Sequence, residues 1–286
     1  MVLLAFGLLG IGNTIVQVSA NPLLVDVAPP HRQASLLSFS QFIKAVGSMA
    51  AAPLTGWLAL QFGNWKLVFP VFALVSILSM VWLLLTPVHE SRQAEKRASV
   101  ASSFGLLRKG WVLAMVAGIF LLVGIDVGIN SLSGQYLLQL GLEQGVAESG
   151  RSFYFFGKMA GTFTGAILLT RVTARHLLSA SAVLGLLAFA GFLWLPAGYT
   201  LLLMLLATGL GLANIFPLIF SWCAEKMPDR TNEIAGLVIM AVTGGAVVPV
   251  LTGWVSDVFS LTAGMLLLGA CFLYLLILSI YAYQQK

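Results

Sequence analysis

The chain has 286 residues, of which 59% are hydrophobic and only 9% charged. Water-soluble domains carry about 25% charged residues, so this chain cannot cover a water-facing surface and its solvent is a bilayer. The formal charge of +5 does not indicate a nucleic-acid partner, because the basic residues lie between apolar runs and form no contiguous patch.

A membrane helix needs about 20 mostly apolar residues. Nine runs meet this, near 2–22, 36–62, 65–87, 111–138, 150–170, 177–195, 199–222, 234–255 and 261–283. The first run has no basic start, and its continuation follows a pattern met again later, so it reads as a span and not as a signal peptide. Turn and charge signals separate the runs: "APPHRQ", "FGNWK", "LGLEQGVAESGR", "TRVTARH", "LPAGY", "KMPDRTNE" and "SDVFS". The longest polar stretch, "HESRQAEKRASVASSFGLLRKG", follows the third run. It predicts three units: residues 1–88 with three helices, a linker at 89–110, and a six-helix bundle at 111–286.

Alternate loops differ sharply in charge. One set holds Arg32, Arg92, Lys96, Arg97, Arg108, Lys109, Arg171, Arg175, Lys226, Arg230 and Lys286, while the other holds only Lys66 and Arg151. The positive-inside rule then puts the linker and the C-terminus in the cytoplasm. With nine spans residue 1 falls on the outer side, and three further spans upstream would return the start to the cytoplasm.

The runs also repeat. "PLTGW" at 53–57 returns as "VLTGW" at 250–254, "PHR" at 30–32 as "PDR" at 228–230, and "PL" at 22–23 as "PL" at 217–218. The offsets are 197, 198 and 195 residues, which argues for a duplicated unit. Duplicated bundles with a site between them are how many secondary transporters are built.

Three ionisable residues fall inside runs: Lys44, Asp126 and Lys158. A charge at the middle of a spanning helix costs about 2.5–3.5 kcal/mol on insertion scales, so each needs water or a partner. Each also lies on a polar stripe at helical spacing. Ser38, Gln41, Lys44, Ser48 and Thr55 make one stripe; Asp126, Asn130 and Ser133 another, with Gln135 less well aligned. Tyr154, Lys158 and Thr162 make a third, Asn13, Gln17 and Asn21 a fourth, and Asn214, Pro217 and Ser221 a fifth. Taken singly, such stripes are often helix glue; as a set with three ionisable groups they predict a polar interior able to hold a sugar. Asp126 has two readings, a structural ion pair with Lys158 or a proton-coupling carboxylate. Lys44 has no evident acidic partner in this chain; it has two readings, a pair with an acid on helices upstream or a group that attracts an anionic substrate. Glycine-rich "MAVTGGAVVPVLTGW" and "FFGKMAGTFTGA" allow close helix approach and bending.

Enzyme chemistry lacks its parts. His31, His89 and His176 are isolated, Cys223 and Cys271 lie in apolar runs, and the Gly-rich pieces "GLLGIG" and "GLG" are packing glycines without a phosphate-loop context. No metal or cofactor is expected.

Two segments carry a family resemblance. "VQVSANPLLVDVAPPHRQASLLSFSQFIKAVGS" is similar to the fourth and fifth helices of fucose–proton symporter-type sugar permeases of the major facilitator superfamily, with the A-N-P motif. "NIFPLIFSWCAEKMPDRTNEIAGLVIMAVTGGAVVPVLTGWVSD" resembles their tenth and eleventh helices. The likeness runs from the fourth helix to the twelfth. It implies an all-α polytopic fold with nine of twelve helices present, and a secondary active transporter of a monosaccharide or acidic sugar, coupled to protons. It further implies a monomer in the bilayer of a bacterial inner membrane. A non-transporting fragment, a sensor or a channel-like protein on the same scaffold is the alternative. The resemblance puts Gln17 where the family has a fourth-helix acid, keeps Gln41, and sets Lys44 where the family has Asn. Expected substrate contacts are Gln17, Asn21, Gln41, Lys44, Asn130, Gln135, Lys158 and Asn214, with Asp126 the proton-coupling candidate. Adding a positive charge and removing a negative one favours a substrate with a carboxylate.

Overall fold

The structure, a computed structural model, describes residues 2–87 and 100–284. His89, Arg92, Lys96 and Arg97 of the expected linker, and Lys286, lie outside them. The described residues are helical throughout, with short connections. In chain order the helices are α1 (Val2–Val27), α2 (Gln33–Phe62), α3 (Val68–Leu85), α4 (Val100–Leu106), α5 (Gly110–Gln139), α6 (Gln144–Leu168), α7 (Ala174–Trp194), α8 (Thr200–Leu212), α9 (Ile215–Lys226), α10 (Thr231–Ala241), α11 (Gly244–Val258) and α12 (Leu261–Gln284). In a bilayer the backbone must satisfy its own hydrogen bonds, and helices do so within each segment.

Eight stretches are long and apolar enough to cross a membrane: α1, α2, the Trp65–Leu85 stretch containing α3, α5, α7, α8 with α9, α10 with α11, and α12. The run expected at 150–170 lies in α6, which has the length to span but carries Glu148, Arg151 and Lys158 and does not stand out by composition. Its apolar and polar residues segregate to opposite faces, and it packs along α8 and α2. With it the nine expected runs are all helical.

Two spans are broken in the middle. α8 and α9 meet at Ala213–Asn214, where Pro217 in the first turn of α9 has no N–H to offer the Ala213 carbonyl. α10 and α11 meet at Val242–Thr243, where Val242, Thr243, Gly245 and Ala246 donate to carbonyls three residues back and tighten the turn. A side chain on Gly244 would strike the Phe120 backbone, so α11 lies directly against α5 there.

The densest packing lies in α5–α12. α6 and α8 approach through Gly157 and Gly209: a Cβ on Gly157 would run into the Leu206 carbonyl, and one on Gly209 into the Tyr154 carbonyl. α7 and α12 lock through stacked Phe189 and Phe272, with ring centroids 4.8 Å apart. The first three helices are tied more loosely. α2 ends at Gly63, whose φ of 65° is the left-handed cap conformation that glycine adopts freely. Asn64 then accepts from the Lys66 amide at 3.1 Å and starts the turn into α3. Val68 is the one described residue of α3 that is buried.

Candidate functional site

Where the early helices meet the later bundle, α1 lies on α10, and α2 runs along α6 and touches α9. The seam is tight at the end that carries Arg32, Arg171, Arg175, Lys226 and Arg230. Val25, Ala28, Leu37 and Ser38 are buried there. Ser35 Oγ donates to the Ala166 carbonyl at 2.6 Å, and Phe42 meets Phe163 with ring centroids 5.1 Å apart. Further along α2 the polar positions are less buried: Gln41 is half-buried, and Lys44 and Ser48 are exposed. The seam is closed at the basic end, and its polar residues beyond keep exposed surface.

On the later side, the opposing charges are Asp126 of α5 and Lys158 of α6. Lys158 Nζ lies 2.8 Å from both carboxylate oxygens. Tyr154, one turn before Lys158, is fully buried and donates its hydroxyl to Asp126 Oδ1 at 2.6 Å. The i,i+4 spacing also sets the ammonium 5.9 Å from the Tyr154 ring centroid. Both members of the ion pair keep about a quarter of their side-chain surface exposed, at 25% and 28%. The structure thus brings these two residues together as an ion pair.

On the earlier side, Lys44 Nζ reaches Gln17 Oε1 at 3.4 Å, joining α2 to α1. Lys44 follows Phe42 by two residues on α2, the helix that packs along α6. Among the described residues Lys44 makes no ion pair. Gln17, Lys44, Asp126 and Lys158 thus form one group across the seam, with a surplus of one positive charge. Asn21 and Gln41 are half-buried one turn from Gln17 and Lys44, and Asn130 half-buried one turn from Asp126.

Two expected contacts sit elsewhere. Asn214 is 3% exposed, and its Nδ2 donates to the Gly161 carbonyl at 2.7 Å. A Cβ on Gly165 would collide with its amide, so Asn214 fastens the α8–α9 break to α6. Gln135, nine residues beyond Asp126 on α5, is exposed near the end of its helix. The stripes also divide along their length. The hydroxyl oxygens of Ser38, Ser133 and Ser221 are buried and, among the described residues, without a hydrogen-bond partner, inside packing seams. Tyr154 is the member of the group that spacing marked only as part of a stripe. Its four-residue offset from Lys158 was the available signal, but the ring's inward aim depends on α6 meeting α5. An apolar groove along α3, lined by Val75, Leu78, Ser79, Trp82 and Leu85, is formed by that helix alone and has no charged lining.

The geometry permits two events. A proton on Asp126 would weaken both donors it holds, and a ligand between the helix groups would touch α1 and α2 on one side and α5 and α6 on the other. Among the described residues no group of three His, Cys, Asp or Glu side chains is placed to hold a metal ion.

Comparison with known proteins gives consistent results. A family model described as Major Facilitator Superfamily matches residues 1–248. A glucose/galactose transporter of Brucella abortus is 26% identical over 95% of this chain and 69% of its own length. A putative glucose/galactose transporter of Helicobacter pylori is 29% identical over 76% of this chain and 53% of its own. The crystal structure of the Escherichia coli fucose:proton symporter superposes with a TM-score of 0.80 at 22% identity, covering 94% of this chain and 74% of that one.

Proposed function

From the premise that this chain belongs to the Major Facilitator Superfamily, we propose that it carries a monosaccharide across a bacterial inner membrane by alternating access. Its relatives named as glucose/galactose transporters support the substrate class. The observation that carries the reading is the polar group at the seam, with Gln17 and Lys44 on one side and Asp126 and Lys158 on the other. A sugar has a hydroxyl on almost every carbon, and side chains with both donors and acceptors are what it needs in place of water. In this reading residues 1–88 and 111–286 are the two moving units, and 89–110 is the cytoplasmic linker. The basic end, with the C-terminus, faces the cytoplasm, by the positive-inside distribution of Lys and Arg. Gln17, Asn21, Gln41, Lys44, Asn130 and Lys158 face the sugar, and the working unit is a monomer.

Asp126 is the proton-coupling residue. Protonation removes the charge that holds Lys158, and the freed ammonium alters how α6 engages the early helices. Return of the ion pair resets the seam. Gln17 carries no titratable proton, and Asp126 on α5 is the carboxylate of the group at the seam.

The test is uptake of labelled glucose, galactose and fucose into liposomes holding the purified chain. Saturable uptake that an inward proton gradient drives to accumulation is expected. Uptake that rises linearly with concentration, without saturation, favours the channel-like alternative. Asp126→Asn is expected to abolish gradient-driven accumulation; undiminished accumulation removes Asp126 from the coupling role.

A further inference from the structure

We propose that the sugar this site takes carries a carboxylate, as a hexuronate does, and that the carboxylate binds between Lys44 and Lys158. The proposal rests on the carrier reading above and specifies its substrate class.

The argument is one of charge and unused donors. Asp126 is already engaged: Lys158 meets both of its oxygens at 2.8 Å, and Tyr154 adds a third donor at 2.6 Å. One carboxylate against two lysines leaves one positive charge over. Lys44 has only a long contact, 3.4 Å, to the uncharged Gln17 oxygen. An ammonium has three donors, so Lys44 retains at least two of its donors, and Lys158 retains one beyond its two contacts with Asp126. The two lysines stand on neighbouring helices, α2 and α6, which pack together through Phe42 and Phe163.

Like charges held near each other repel, and a carboxylate between them converts that repulsion into two attractions. A neutral hexose leaves the surplus charge of Lys44 uncompensated. A carboxylate has two oxygens, one for each lysine. Bound so, it ties α2 to α6. The same contact therefore selects the substrate and favours closure of the site over it. The hydroxyl-bearing ring of the sugar then lies against Gln17, Gln41 and Asn130, which offer both donors and acceptors.

The experiment is equilibrium binding to the purified full-length chain in detergent. Its ligands are labelled galacturonate, galactose and the methyl ester of galacturonate, with acetate as a competitor. Wild-type protein is expected to bind galacturonate at least about tenfold more tightly than galactose or the ester, a factor worth about 1.4 kcal/mol. Lys44→Gln should bring the acid-to-neutral ratio to about one, and Lys44→Arg should keep a preference for the acid. The ester arm uses unaltered protein and stands even where a variant does not fold. Galactose or the ester binding as tightly as galacturonate overturns the inference, and so does acetate competing as well as galacturonate does. If galactose is still taken up by liposomes in those cases, the carrier reading survives without this substrate class. Accumulation of neither sugar removes both.

Discussion

The helices before the polar stretch and those after it solve the same problem differently. α5–α12 bury a continuous core that includes Ile119, Tyr154, Phe192, Phe220 and Phe272. α1 and α3 instead turn large apolar side chains outward, with Leu3 87%, Leu85 78% and Trp82 77% exposed. Lipid explains how both can stand in one molecule. Apolar side chains gain little by leaving acyl chains for protein, so helices in a bilayer associate through close packing at small residues and through polar contacts. The later helices have such contacts in number: Gly157 and Gly209 at the α6–α8 crossing, Gly244 against α5, and Asn214 against α6. The early helices meet the bundle along one seam, α2 on α6 and α1 on α10, with Ser35 on Ala166, Phe42 on Phe163, and Val25 and Leu37 in the core. A dense body joined to a second group of helices along one seam is suited to a device whose seam has to open.

Three sets of substitutions break or sharpen this contrast. The largest effect is expected from Gly157→Leu, which forces a side chain into the Leu206 backbone. Backbone cannot step aside as a side chain tip can, and a loss of about 3 kcal/mol or more is expected. Size-exclusion chromatography in detergent should show little monodisperse protein. A normal yield would mean that α6 and α8 are free to separate.

Breaking the ion pair comes next. Asp126→Asn or Lys158→Gln alone leaves a charge without its partner, and each should cost about 1–3 kcal/mol in a partly exposed setting. The double substitution should cost less than the two single losses together, because neither charge is then stranded. Thermal unfolding of the four proteins gives the coupling. Strict additivity would mean that the pair contributes nothing.

The smallest effect belongs to α3. Trp82→Ala removes a large ring, yet that ring is mostly turned away from the protein. Bundle stability should change by less than about 0.5 kcal/mol by the same unfolding measurement. A loss of several kcal/mol would show that α3 packs like the later helices.

The sequence made the site partly legible. Lys44, Asp126 and Lys158 stand out because charges are rare inside apolar runs, and their spacing placed them on polar faces. What spacing left open was the partner of each. Asp126 fitted both an ion pair and a lone titrating group, and the contact with Lys158 and Tyr154 appears only once α5 meets α6. Asn214 has the same residue type as Asn130 and an equally plausible stripe, yet the helix break at Pro217 turns it onto Gly161 and Gly165. Gln135 shares its helix with Asp126 but lies nine residues along, far enough for its side chain to be exposed near the helix end.

By itself the sequence determined that this is an all-helical membrane protein with nine apolar runs and a strongly basic set of alternate loops. Those properties are local: a run of about 20 apolar residues must be helical in lipid wherever its neighbours stand. Only the tertiary structure decided which polar groups meet across the seam, which are spent as packing contacts, and which end of the seam is closed. These depend on the rotation and approach of helices far apart in the chain, set by glycines and prolines at a few crossings that no single segment reveals.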